Sequence, residues 1–285
     1  FDTGMLAFSD AHLHVNPVQG LGAEKITKKF KKVGGWFLAF VGLPPSHYNL
    51  PVNLNGYTRS IEILIKECDK IKSTGIKSVC LAGFHPAEID KLINVHKQEI
   101  EKVLDLAEKL FDHIAKLCMK GKLIGIGEVG RQHYKTEPLH VVVANLIMDR
   151  ALEIAKDLDV MVHLHLEQGG LATVMDIDKR VKRIGVKKER IILHHLNTVT
   201  ARAAKKYGFP FTILGIEKLL KSVIGLKASL LVESDFLDDP KRPGAVMYPW
   251  DIPRNVIRLV DEGLMSEDDV LRIFVDNVVR TYRIT

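Results

Sequence analysis

Val160-Met161-Val162-His163-Leu164-His165 is an apolar run that ends in two histidines. A strand buried on both faces carries such a run, because both of its sides pack against other elements. The pattern recurs along the chain. Met5–Leu13 runs into Asp10-Ala11-His12-Leu13-His14, and Ile191-Ile192-Leu193 is followed by His194-His195. Six of the twelve histidines therefore fall in three tight pairs, each where an apolar run ends.

Further out, residues 36–42, 77–84, 122–128, 210–214 and 228–234 read as strands, beside 5–12, 159–165 and 190–194. Amphipathic stretches lie between them, at 57–73, 98–120, 138–158, 171–184, 198–207 and 216–223. Pro138 suits a first helical turn. Residues 254–262 and 266–280 read as closing helices. Eight strand–helix alternations predict a parallel sheet closed into a (β/α)8 TIM barrel, a single α/β domain over residues 1–285. An open doubly wound sheet is the competing architecture. The turn-rich stretch 44–56 is expected to be an active-site loop.

Composition bounds the function. No run reaches the roughly 18 apolar residues of a membrane span, and Phe1-Asp2-Thr3-Gly4 lacks the pattern of a secretory signal. Cys68, Cys80 and Cys118 are scattered, which predicts reduced thiols, a cytoplasmic location and no cysteine metal site. The formal charge of +6 permits an anionic substrate. The basic runs, such as Lys28-Lys29 with Lys31-Lys32, read as solvated helix faces.

The chemistry concentrates at strand ends, which in a barrel converge on one pocket. His12 and His14 stand two residues apart, so on a strand they share a face and can grip one divalent ion. Glu128 sits inside the glycine-rich apolar run Gly125-Ile126-Gly127-Glu128-Val129-Gly130. A carboxylate there demands a cation or a base; the simpler partner is Arg131. His163 and His165 share a face, with His165 nearer the strand end and His163 suited to a hydrogen-bonded place inside the barrel. His194 and His195 point to opposite faces, so one of them is expected to enter the pocket. Asp235, after Leu230–Ser234, can ligate a metal and accept a proton from water; its simpler role is an N-cap or a salt bridge to Lys241 or Arg242. Imidazole with carboxylate suits zinc, manganese and other first-row ions, and carboxylate-rich sites accept magnesium.

These residues, taken in order, resemble the TatD family of metal-dependent hydrolases. Asp10-Ala11-His12-Leu13-His14-Val15-Asn16 is similar to its D-x-H-x-H opening, with Asn16 where an acid is usual. Gly83-Phe84-His85-Pro86, Gly127-Glu128-Val129-Gly130 and Glu233-Ser234-Asp235 resemble its G-[IV]-H-P, G-E-[IV]-G and E-T-D. Residues 276–282 resemble its closing motif, with Thr281 off the pattern. The branch with G-E-V-G-R-x-H-Y and D-D-P-[RK]-R-P-G-A-V is most similar. The resemblance implies that His165 and His194 are the ligands of strands five and six, and that His85 lines the substrate pocket. Arg131 and His133 stand where ordinary members carry L-D-Y.

The expectation is hydrolysis assisted by one or two divalent ions (zinc, magnesium or manganese). His12, His14, Glu128 and Asp235 would hold one, and Glu128, His165 and His194 the other. Asp235 and Glu128 would be catalytic, and His85, Arg131 and His133 would face the substrate. By resemblance the substrate is DNA; the rivals are an anionic small molecule (amide, lactone or phosphoester) and a non-catalytic metal-binding barrel. No phosphate-binding loop motif is present.

Overall fold

A computed structural model describes residues 6–285. The readings of residues 1–4 and of a strand start at Met5 lie outside these residues. Eight parallel strands stand in chain order: β1 (Phe8–Leu13), β2 (Gly35–Val41), β3 (Lys77–Ala82), β4 (Gly125–Gly130), β5 (Met161–His165), β6 (Ile191–His194), β7 (Phe211–Leu214) and β8 (Leu230–Glu233). The two ends of the sheet meet just past β8. There Asp235 N donates to His12 O (2.9 Å) and His14 N donates to Phe236 O (2.7 Å). This is the expected (β/α)8 barrel rather than an open sheet.

The helices are α1 (Ala23–Lys31), α2 (Leu54–Lys70), α3 (Pro86–Asp90), α4 (Ile100–Met119), α5 (Pro138–Leu158), α6 (Leu171–Ile184), α7 (Thr198–Tyr207), α8 (Glu217–Val223), α9 (Asp251–Asp261), α10 (Glu267–Leu271) and α11 (Asn277–Tyr282). A π-helical turn, Arg272–Asp276, joins the last two. Two helices were not expected. α1 follows Gly22, an N-cap residue with no side chain to cap it. α3 has only five residues and is capped by the His85 ring, which is no ordinary cap residue. No helix of the described residues is long and apolar enough to cross a membrane.

Strand alternation sorts the core into two shells. Phe37, Ala39, Val41, Val79, Leu81, Met161, Ile192 and Leu231 point into the barrel, where Val278 and Tyr282 of α11 meet them. Leu38, Phe40, Cys80, Val162, Leu164, Leu193 and Val232 point outward to the helices. The same parity aims His163, His165, His194 and Glu233 inward. Three register irregularities adjust it. Two lie in β1, between Phe8 and Ser9 and between Asp10 and Leu13, and the third lies between Gly127 and Val129 of β4, where Glu128 is left without a partner in β5. Such bulges re-aim a side chain. Gly130 of β4 adopts φ 149° and lies so close to β5 that a Cβ would fall on the His165 carbonyl oxygen.

One expectation fails. Cys68 of α2 and Cys80 of β3 are joined as a disulfide, with Cα atoms 6.7 Å apart, and only Cys118 is free. Spacing along the chain hid the pair; α2 packs across β3 and brings residues twelve apart together.

Candidate metal centre

Glu128 is the hub of the site. Its side chain is 5% exposed, and Oε1 lies 2.7 Å from His12 Nε2, 3.2 Å from His194 Nε2 and 3.7 Å from His14 Nε2. Oε2 lies 3.0 Å from His85 Nε2. Asp235 closes the cluster, with Oδ1 3.5 Å from His14 Nε2 and 3.9 Å from His12 Nε2. One ligand atom from each of His12, Glu128, His194 and Asp235 lies within 4.8 Å of the others.

Hydrogen bonding on the far side of each ring decides what its near side offers. A carbonyl or carboxylate oxygen can only accept, so a ring nitrogen bonded to one must carry the proton. His14 Nδ1 donates to Val41 O (2.8 Å), and His194 Nδ1 donates to Glu233 Oε2 (2.7 Å). His165 Nδ1 donates to Arg131 O (2.9 Å). In the neutral ring each of these histidines therefore turns a lone pair inward through Nε2. His85 has the opposite tautomer: its Nδ1 accepts from Ala87 N (3.0 Å), leaving Nε2–H to donate to Glu128.

Lone pairs facing carboxylates repel unless a cation or a proton lies between them. The charges show this tension. Burial alone would raise the Glu128 pKa, but His85, His12 and His194 hold it well below the usual carboxylate range. Burial would also raise Asp235, and His14 and His195 hold it low. Burial opposes the charged forms of His14 and His194, yet their carboxylate neighbours raise both above the usual histidine value. For His194 those neighbours are Glu233 and Glu128. An oxygen-and-imidazole set of this kind fits a divalent cation, with outer hydrogen bonds fixing the rings.

The expected residues separate into three groups. His12, His14, Glu128, His194 and Asp235 meet in one cluster. His165 lines the same cavity, but its Nε2 accepts from His133 Nδ1 (2.7 Å), and burial together with His85 pushes its pKa down to about 3. His85 and His133 line the cavity too. Arg131 does not: its guanidinium turns away to Glu167 Oε1 (2.7 Å) and to Asp176, and its carbonyl oxygen orients His165. Arg131 is therefore not the partner of Glu128. Nor does Asp235 pair with Arg242, whose Nε donates to Asp239.

His194 and His195 both reach the site, against the expectation of one. His195 takes a left-handed φ of 61°, which breaks strand alternation and places its Nδ1 3.1 Å from Asp235 Oδ2. His163 takes the place inside the barrel, below His12. Sequence reading gave no separate role to Glu233, although its parity with Asp235 was a usable signal. His47 of the loop after β2 also lines the cavity, as do Leu237, Arg242 and Val246 of the loop after β8. Burial and the His14 and Arg242 charges push His47 down to about 4.

A family model described as TatD related DNase matches residues 9–283. An uncharacterized protein of Methanocaldococcus jannaschii is 30% identical over 283 residues, covering 97% of this chain and 96% of the relative. Two solved structures share the fold at 15% identity. A TatD-like protein from Archaeoglobus fulgidus has a TM-score of 0.65, with 97% of this chain and 100% of that chain covered. A TatD homolog from Escherichia coli K12 has a TM-score of 0.67, with 98% of each chain covered.

Proposed function

The chain belongs to the TatD-related DNase family, and on that premise we propose that it hydrolyses phosphodiester bonds of DNA with one or two divalent cations held by His12, His14, Glu128, His194 and Asp235. The observation that carries the reading is the convergence on Glu128 of ring nitrogens of His12, His14 and His194, the last two tied on their opposite sides to protein oxygens. A bound zinc, magnesium or manganese ion supplies Lewis acidity, polarising the phosphoryl oxygen and acidifying water. His165, whose Nε2 accepts from His133 Nδ1 at 2.7 Å, would be a further ligand.

The protein's own groups do the rest. Asp235 would accept the proton of the attacking water, and as the scissile P–O bond breaks that proton would pass to the leaving alkoxide oxygen, with His195, 3.1 Å from Asp235 Oδ2, holding the carboxylate in place. His85, fixed as an Nε2–H donor by Ala87, hydrogen-bonds a substrate oxygen in place of Glu128. His133 is positioned to do the same at the rim. Leu43, Pro44, Leu166 and Leu237 form apolar walls that exclude water. The cavity of about 600 Å³ is within the range of small-ligand sites and suits one nucleotide at the end of a strand. A closed structural metal site would have no such opening.

The test is release of nucleotides from single-stranded DNA with magnesium or manganese, with and without a chelator. We expect cleavage that the chelator abolishes and that Asp235→Asn lowers by about 10²- to 10⁴-fold. Absence of cleavage with every metal, alongside turnover of a small phosphoester, would move the substrate to that class and leave the centre intact.

A further inference from the structure

Among the described residues, the loop after β8 brings the one fixed positive charge to the cavity wall, and the chemistry above does not use it. Arg242 lines the cavity with three carboxylates, Glu88, Glu128 and Asp235, and no lysine joins it. Glu128 and Asp235 are the groups offered to the cation. Glu88 is buried and accepts from Tyr57 Oη (2.5 Å). A single guanidinium is left to face the substrate.

That guanidinium is held by one edge only. Asp239 Oδ2 accepts from Arg242 Nε (3.0 Å), Asp239 Oδ1 accepts from Lys241 N (2.9 Å), and Asp239 O accepts from Arg242 N (3.1 Å). Pro240 and Pro243 flank this turn, and each fixes its own φ. Both Nη groups of Arg242 are without a hydrogen-bond partner among the described residues. The side chain is 55% exposed, so water screens the pair with Asp239 and the charge is not cancelled. Two parallel N–H groups at the free end of a guanidinium match two oxygens of one phosphate.

The number of charges decides which phosphate. A strand that runs through a site presents a phosphate on each side of every nucleotide, and proteins that hold one line its path with several cations. Here the walls beside Arg242 are apolar, at Leu43, Pro44, Leu166 and Leu237. A chain end suits such walls. Its terminal phosphate is a monoester with a charge of about −1.5 to −2 near neutral pH, whereas an internal diester carries a single charge. We propose that Arg242 grips the terminal phosphomonoester of the substrate, so that the cavity accepts a phosphorylated chain end, with the scissile phosphate at the cation cluster and the terminal phosphate at the loop after β8. The proposal rests on the hydrolase reading of the centre and adds the end group to it.

The test has two arms. In the first, kcat/KM with manganese is compared for single-stranded oligonucleotides of one sequence that end in a 5′-phosphate, in a 3′-phosphate, or in hydroxyls at both ends. We expect the phosphate at one of the two ends to raise kcat/KM by about 10- to 100-fold, the range of a charge-assisted hydrogen bond. The gain should vanish in Arg242→Met and survive in Lys241→Met, which removes a neighbouring cation outside the cavity. In the second arm, calorimetry in the presence of manganese compares thymidine 3′,5′-bisphosphate with the two thymidine monophosphates. We expect the bisphosphate to bind more tightly by a similar factor, and the difference to disappear in Arg242→Met.

Equal rates for phosphorylated and hydroxyl ends, or a phosphate effect that persists in Arg242→Met, would overturn the proposal and leave the metal centre intact. A loss in Arg242→Met that is the same for every end would assign the guanidinium to an internal phosphate, which also overturns it. No cleavage of any oligonucleotide, with a bisphosphate preference that depends on Arg242, would remove DNA as the substrate and leave the phosphomonoester site standing.

Discussion

Glu233 holds His194 from behind. The carboxylate is fully buried, its Oε2 accepts from His194 Nδ1 at 2.7 Å, and the opposite ring nitrogen faces Glu128. A carboxylate in this place raises the basicity of the ring and fixes its rotation. Glu233→Gln keeps the shape and removes the charge. The amide can still accept from Nδ1–H, so the fold should survive while zinc affinity falls by about 10-fold or more. Chelator competition reads the change.

Protons compete with the cation, and the sign of that competition follows from the site. In the metal-free protein His14 and His194 hold their protons above the usual histidine value, because Asp235, Glu128 and Glu233 surround them. As pH falls through those raised values, a cation must displace protons to bind. Apparent zinc affinity should therefore rise with pH and then level off once both rings are neutral. The stability of the metal-free protein has the opposite sign. The contribution of these two histidines is fully present below their unfolded pKa of about 6.5 and is lost as pH rises through the folded values. Melting temperatures with and without zinc, measured across pH, should diverge as pH increases.

Arg131 is a structural residue in this account. Its guanidinium lies outside the cavity and pairs with Glu167 and Asp176, which are both partly exposed. Arg131→Met should leave the KM for DNA within about twofold and cost about 1–2 kcal/mol, discounted for that exposure. For a chain of this size the melting temperature would fall by several degrees. A large KM change with an unchanged melting temperature would return Arg131 to the substrate.

Asp238 latches the loop after β8 to the loop after β1. It accepts from the backbone N–H groups of Asn16 (2.7 Å), Leu21 (2.6 Å) and Gly22 (3.0 Å). The latched loop brings Leu237, Arg242 and Val246 to the cavity wall. Asp238→Ala leaves three donors without their acceptor. It should lower the melting temperature and raise KM more than it lowers kcat, since no cluster residue moves directly. Steady-state kinetics and thermal unfolding separate these effects.

The sequence made the barrel legible because short, near-continuous apolar runs alternate with period-3.6 stretches along most of the chain. It also located the strand ends near which His12, His14, His194 and Asp235 stand. Parity put His163 and His165 on one face without choosing between them; in the structure His163 sits inside the barrel against His12 and His165 lines the cavity. Parity failed at His195, because a left-handed residue there is a backbone event that no spacing encodes. Glu128 was expected at a strand end and lies in mid-strand, aimed inward by a bulge. The Cys68–Cys80 pair depends on how α2 crosses β3, a tertiary fact. The tautomers are the least legible layer: they depend on oxygens such as Val41 O and Arg131 O, which every residue carries and no motif marks.

Glu128 and the imidazoles around it are proposed to hold a cation. An anomalous-scattering map of crystals grown with zinc tests it most directly. The account predicts a peak about 2.0–2.2 Å from a Glu128 oxygen and from His12 Nε2, lost in Glu128→Gln. Zinc bound elsewhere, with no peak between these two side chains, would contradict it.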